Sequence, residues 1–95
     1  MQLAQSQIEQ IIALAQKHGA TRLVLFGSAL EQADRARDVD LACDGVPGWA
    51  LYTLGGLLEE VLHTNVDLVP LKPITPFTRL IENRGKVLYD VGRPA

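Results

Sequence analysis

Gly27-Ser28, nine residues, Asp38-Val39-Asp40, and later Asp67 within Val66-Asp67-Leu68-Val69 are residue types and spacings suited to metal-assisted phosphoryl chemistry. Asp38 and Asp40 sit in a short apolar run that reads as a strand. Side chains two apart on a strand share a face, with Cα atoms about 6.6 Å apart. Both carboxylates can therefore converge while Val39 and Leu41 enter the core. Hard divalent cations such as Mg²⁺ prefer oxygen, usually one or two carboxylates plus substrate phosphates. Two such ions about 3.5–4 Å apart stabilise the attacking and leaving oxygens of an in-line displacement at phosphorus. Asp67 is the candidate third ligand, and a candidate to orient or deprotonate an attacking hydroxyl. Asp-x-Asp alone is more often a solvated strand end. An acid within Val-Asp-Leu-Val, however, is expensive to bury without a partner or metal, and that shifts the balance toward function.

Gly27 lets the backbone approach a ligand closely, and the amides opening the following turn can face phosphate oxygens, with the Ser28 hydroxyl as a further donor. A local account competes: Ser28-Ala29-Leu30-Glu31 also has the pattern of a capping box. Two other phosphate motifs are excluded, because the chain has neither G-x-G-x-x-G after a strand nor a Walker-type Gly-Lys.

The elements that must position these residues can be read from periodicity. Ile8, Ile11, Ile12 and Ala15 follow helical spacing, with Ser6 and Glu9 set as a capping box and Gly19 as the stop. Leu23–Phe26 reads as a buried strand and residues 28–36 as a brief helical turn with a polar loop. Val39–Cys43 is the second strand, ended by Asp44-Gly45 and Pro47-Gly48. Trp49 to Leu62 is a helix with Leu51, Leu54, Leu58, Val61 and Leu62 on one face. Gly55-Gly56 in its middle costs up to about 1 kcal/mol each in propensity, which suggests close packing there. Val66–Pro70 is the third strand. Thr75-Pro76 opens a helix that stops near Gly85, and Lys86–Tyr89 is a last strand at a sheet edge. The order α-β-(α)-β-α-β-α-β predicts a small α/β (α+β) fold, a mixed sheet with helices packed on it.

Ninety-five residues predict one domain, 1–95, burying about 60–65% of its unfolded surface. At 47% apolar and 21% charged the composition is that of a soluble globular protein. A net charge of −2 gives no strong signal for nucleic-acid binding. Cys43 is the only cysteine, which excludes an internal disulfide and suits a reducing compartment. Met1–Gln10 lacks the character of a signal peptide, and no apolar stretch approaches the ~20 residues of a membrane span, so a cytoplasmic location is expected.

The pattern Gly27-Ser28, nine residues, Asp38-Val39-Asp40, then Asp67 resembles the DNA polymerase β nucleotidyltransferase superfamily. More narrowly, nearly the whole chain, through Gly85-Lys86-Val87-Leu88-Tyr89, is similar to the minimal nucleotidyltransferases, small prokaryotic proteins often paired with a helical HEPN-domain partner. The resemblance implies a polymerase-β-like fold, a triphosphate held by Gly27 and Ser28, two Mg²⁺ ions on Asp38 and Asp40, and Asp67 completing the acidic triad. It implies ATP or another NTP as substrate and, in some members, transfer of AMP onto the HEPN toxin by an antitoxin. The chain departs from the pattern in two places. Arg37 stands where serine commonly precedes the first acid, and Ala29-Leu30-Glu31-Gln32-Ala33 replaces the usual Arg and Gly. Arg37, with Arg35, can restore positive charge toward the nucleotide.

Other residues have quieter readings. His18 and His63 are expected at helix ends, where a partly positive imidazole suits the dipole. Cys43 should be a core hydrophobe. Trp49 and Tyr52 are expected to pack their helix rather than stack on a base, and the Phe77, Leu80, Ile81 stripe to be mainly core. The expected activity is Mg²⁺-dependent transfer of a nucleoside monophosphate to a hydroxyl acceptor. The alternative is an antitoxin-like binding module with weak or no transfer. The acceptor, the nucleobase and any oligomer are left open.

Overall fold

The computed structural model describes residues 3–27 and 38–92. Helix α1 (Gln5–Lys17) leads into strand β1 (Arg22–Phe26). Strand β2 (Asp38–Asp44), helix α2 (Gly48–Leu62) and strand β3 (Asn65–Pro70) follow, then helix α3 (Pro76–Arg84) and strand β4 (Lys86–Asp90). The sheet order is β3-β2-β1-β4. β1 runs antiparallel to both β2 and β4, whereas β2 and β3 are parallel and joined through α2. This is the expected α+β fold, with a mixed sheet carrying helices.

Strand alternation sorts the sheet into two faces. Leu23 and Leu25 of β1, Val39, Leu41 and Cys43 of β2, and Val66 of β3 join Ile11 and Ala15 of α1 and Leu51, Leu54, Leu58 and Leu62 of α2 in the main core. The α2 residues recur at helical spacing, and each fully buried leucine stabilises by roughly 1.5–3 kcal/mol. The other face is covered more thinly. There Val24, Ala42 and Leu71 pack with Ile81 of α3, flanked by Phe26 and Val69. Arg22, at the start of β1, donates from Nε to Glu82 of α3 at 3.0 Å and pairs with Asp90 of β4, which pins α3 at one end of the sheet. The opposite end of that face carries β1's last residues and the first halves of β2 and β3, and Phe77 of α3 reaches it at Phe26.

Element ends follow their residue chemistry, with some departures from expectation. Thr75 caps α3 by accepting from Thr78 N at 3.1 Å, with Pro76 in the first turn. Helix α1 starts earlier than the Ser6 and Glu9 pattern indicates: Ala4 is the N-cap, and its N–H donates to Gln7 Oε1 at 2.8 Å. Glycine at 19, with φ +91°, closes that helix as expected. The glycine pair in α2 is not a close-packing site. A Cβ on Gly55 would meet Leu68 Cβ at an ordinary 3.9 Å, and one on Gly56 would meet nothing within 4 Å. Trp49 and Tyr52 do not pack their helix either; they are 81% and 89% exposed. Phe77 and Leu80 are about half exposed, so only Ile81 of that stripe is core. Among the described residues no helix is long and apolar enough to cross a membrane.

Candidate active site

Two strand ends and one turn assemble the acids. Asp38 and Asp40 alternate with Val39 and Leu41, which point into the main core, so both carboxylates lie on the face partly covered by α3. The parallel register pairs Asp40 with Asp67, and Val66 goes into the main core, so Asp67 shares the face of Asp40 on the neighbouring strand. Strands about 4.8 Å apart bring the two carboxyl groups side by side. Asp38 lies one pleat further along β2.

Electrostatics record this crowding. The carboxyl of Asp40 is held above the usual carboxylate range, first by partial burial, then by the charge of Asp67 and a hydrogen bond with it, and by the charge of Asp38. Like charges held together in this way are eased by protonation or by a cation. Asp67 is exposed, so the expected burial cost inside Val-Asp-Leu-Val does not arise. The reason is topological: β3 is an edge strand, its apolar neighbours point to the other face, and water reaches the Asp67 carboxylate. Among the described residues no group of three or more His, Cys, Asp or Glu side chains is assembled as a metal site. Asp40 and Asp67 instead form a two-carboxylate platform with Asp38 beside it. That donor set fits a hard cation that draws its remaining ligands from phosphates.

Gly27 closes the site from β1. Its φ is +74°, and a Cβ there would overlap Asp40 Oδ2 and sit 3.1 Å from Asp40 Cγ. The absence of a side chain thus leaves room for the Asp40 carboxylate against the turn. Phe26, the residue before it, is the antiparallel partner of Asp40 and shares its face. Phe77 of α3 meets Phe26 edge-on, with ring centroids 5.9 Å apart and planes at 81°. This aromatic pair, which the sequence reading missed, separates the acids from the α3 core. The expectations for Ser28, Arg37 and a helical turn over 28–36 lie outside the described residues.

The remaining candidates stay away from this site. Cys43 is buried on the opposite face, and burial, with a smaller effect from Asp44, pushes its thiol up to about 11. His18 caps α1, its Nδ1 2.9 Å from the Leu14 carbonyl. His63 is the C-cap of α2, at the helix end as expected, in a left-handed conformation with φ +55°.

No protein-family model matches the chain, and no curated protein does. Solved structures do. One, assigned as a minimal nucleotidyltransferase, superposes with a TM-score of 0.71 at 27% identity, over 85% of this chain and 88% of that one. A toxin–antitoxin structure with AMP-PNP gives a TM-score of 0.73 at 26% identity, over 87% of this chain and 73% of that one. The complex of a tri-AMPylated Shewanella oneidensis HEPN toxin with an MNT antitoxin gives 0.72 at 24% identity, over 90% of this chain and 71% of that one. The chain has the α+β fold of the minimal nucleotidyltransferases. It is similar to MNT antitoxins across most of its length.

Proposed function

We propose that the chain, 1–95, is a single nucleotidyltransferase domain that moves AMP from ATP to a hydroxyl acceptor on a HEPN-type protein. The observation that carries this reading is the in-register pair Asp40 and Asp67, crowded with Asp38 against the Gly27 turn. The structural likeness to a nucleotide-bound antitoxin complex and to a complex with an AMPylated toxin supports both the nucleotide and the partner. Asp38, Asp40 and Asp67 would hold Mg²⁺, which when bound neutralises charge on the reacting phosphates. Gly27, Ser28 and Arg37 would receive the triphosphate. The acceptor oxygen bonds to the α-phosphorus as the bond to the bridging oxygen breaks. Pyrophosphate leaves with the electron pair, and the exposed carboxylate of Asp67 takes the hydroxyl proton.

The test compares thermal unfolding with and without Mg-ATP for the wild type and for Asp40→Asn. Ligand at 100 times its Kd stabilises by about 2.7 kcal/mol, several degrees for a domain of this size. The wild type should gain that increment and the variant should not; an equal gain in both refutes the assignment of Asp40.

A second reading has one observation in its favour. Among the described residues the acids do not form a three-ligand cluster, while Ile74, Phe77 and Leu80 expose apolar surface that suits a binding module. Under that reading Asp40→Asn still binds and neutralises a HEPN partner, measured by titration of the partner's activity.

A further inference from the structure

Beyond the acids lies a groove of about 480 Å³ that the reaction as described leaves unused. Its floor is the outer side of β3, at Val66, Asp67 and Leu68. Its roof is one side of α2, with Gly48, Tyr52, Gly55, Gly56 and Glu59. Because β3 pairs only with β2, its other side is an open sheet edge among the described residues. The hydrogen bonding shows which groups face outward. Val66 N–H donates to Glu59 Oε2 at 3.0 Å, so the Val66 peptide groups point away from β2. Alternation turns the N–H and C=O of Leu68 the same way, and Pro70 has no N–H to offer. An edge of this kind is a template for another strand.

We propose that the acceptor arrives as an extended, positively charged segment of a partner protein, added as a strand to the β3 edge beneath α2; this rests on the transferase reading above. Three observations select that occupant. The outward carbonyl of Val66 and the outward N–H and carbonyl of Leu68 recognise extended chain, while the Val66 N–H stays with Glu59. The charged residues lining the groove, Glu59 and Asp67, are both acidic, so lysine or arginine complements them. The groove also runs into the proposed reaction site. A residue placed opposite Asp67 on an added strand has its Cβ about 4.5–5.5 Å from that of Asp67, while its neighbours in sequence point toward α2. One hydroxyl side chain is thereby presented to the acids while the flanking residues are gripped by the groove. Tyr52, 89% exposed at the lip, supplies aromatic surface to those flanks.

The test uses fluorescein-labelled short peptides with a central tyrosine among β-branched residues, flanked by lysine or, in a matched set, by glutamate. Anisotropy measures their binding to the full chain, to Gly56→Arg and to Gly56→Ala. Gly56 faces open space, so the arginine fills the groove with like charge to the peptide, and both variants improve helix propensity. The lysine peptides should bind at least about tenfold more tightly than the glutamate set. They should lose that advantage with Gly56→Arg or with N-methylated backbone amides, and keep it with Gly56→Ala. Equal binding of the two peptide sets overturns the proposal, as does indifference to Gly56→Arg or to N-methylation. A dimer of the wild type dissociated by Gly56→Arg overturns it too, by assigning the edge to a second copy. Mg-ATP stabilisation and labelling of the tyrosine from α-labelled ATP are measured alongside. Peptide binding without any Mg-ATP response keeps the groove and sinks the transferase, whereas a Mg-ATP response without peptide binding removes the groove alone.

Discussion

Replacing Gly27 by alanine puts a methyl group where the Asp40 carboxylate lies. Two costs follow, and they can be separated. The backbone term comes from φ +74°, a region that costs a residue with a Cβ about 1–2 kcal/mol. The contact term comes from Asp40, whose Oδ2 would overlap the new Cβ and whose Cγ would lie 3.1 Å from it. Moving that side chain off its rotamer costs about 0.5–1.5 kcal/mol. The sum is about 1.5–3.5 kcal/mol. At about 4–8 °C per kcal/mol for a domain of this size, the unfolding midpoint should fall by on the order of 10 °C. A double-mutant cycle followed by far-ultraviolet circular dichroism isolates the second term. In the Asp40→Ala background only the Cβ at position 40 remains close, at 3.2 Å, so Gly27→Ala should there cost the backbone term alone. The coupling energy should be about 0.5–1.5 kcal/mol, within the range measured for residues in contact. A Gly27→Ala variant as stable as the wild type would refute the strained turn. Equal costs in the two backgrounds would refute the contact between turn and acid.

Asp40→Asn should raise the stability of the ligand-free protein at neutral pH by about 0.2–1 kcal/mol, the scale of a like-charge pair on adjacent strands. Because the folded-state pKa of Asp40 lies above its unfolded value, ionising Asp40 costs the native state stability as pH rises through that window. The advantage of the variant should therefore disappear as pH falls to the ordinary aspartate range, and urea titrations at neutral and acid pH will show whether it does. Leu54→Ala removes a side chain with no exposure and should cost about 2–5 kcal/mol by denaturant unfolding. Thr75→Ala deletes the α3 cap and should cost about 1 kcal/mol in the same assay. The thiol of Cys43, buried and pushed up to about 11, should resist iodoacetamide near neutral pH until the protein unfolds; rapid labelling of native protein, read by mass spectrometry, contradicts that burial.

Much of the architecture is legible in the chain because it depends on local chemistry. Apolar runs at Leu23–Phe26 and Val39–Cys43, the leucines of α2, and Thr75-Pro76 before α3 each mark an element within a residue or two. The two-residue spacing of Asp38 and Asp40 also survives directly as a shared face. Less legible are features that depend on which strands become neighbours. Val-Asp-Leu-Val reads as a buried run because its apolar residues dominate, yet β3 lies at an edge and exposes Asp67. The same topology leaves Tyr52 over an open groove instead of against a neighbouring element. The space that Gly27 leaves for Asp40 depends on the antiparallel register of β1 and β2, which pairs Phe26 with Asp40. Nothing local to Gly27-Ser28 discloses that contact.

The treatment of other acids in the same molecule gives the candidate site its meaning. Glu82 and Asp90 are each paired with Arg22, Asp44 accepts from Gly45 N at 3.0 Å, and Glu59 accepts from Val66 N. Each of these carboxylates satisfies a nearby donor, and all but Asp44 tie one segment to another, which is how a structural acid behaves. Asp38, Asp40 and Asp67 differ: among the described residues no arginine, lysine or histidine forms an ion pair with any of them, and Asp40 is pressed against Asp67. A chain of this length, with only a modest core, would gain stability by replacing one of them with a neutral residue. Three carboxylates with no ion-pair partner among the described residues, on the thinly covered face, fit the proposed role in which a bound cation brings compensating charge. That is the condition a cation and the triphosphate it accompanies would meet.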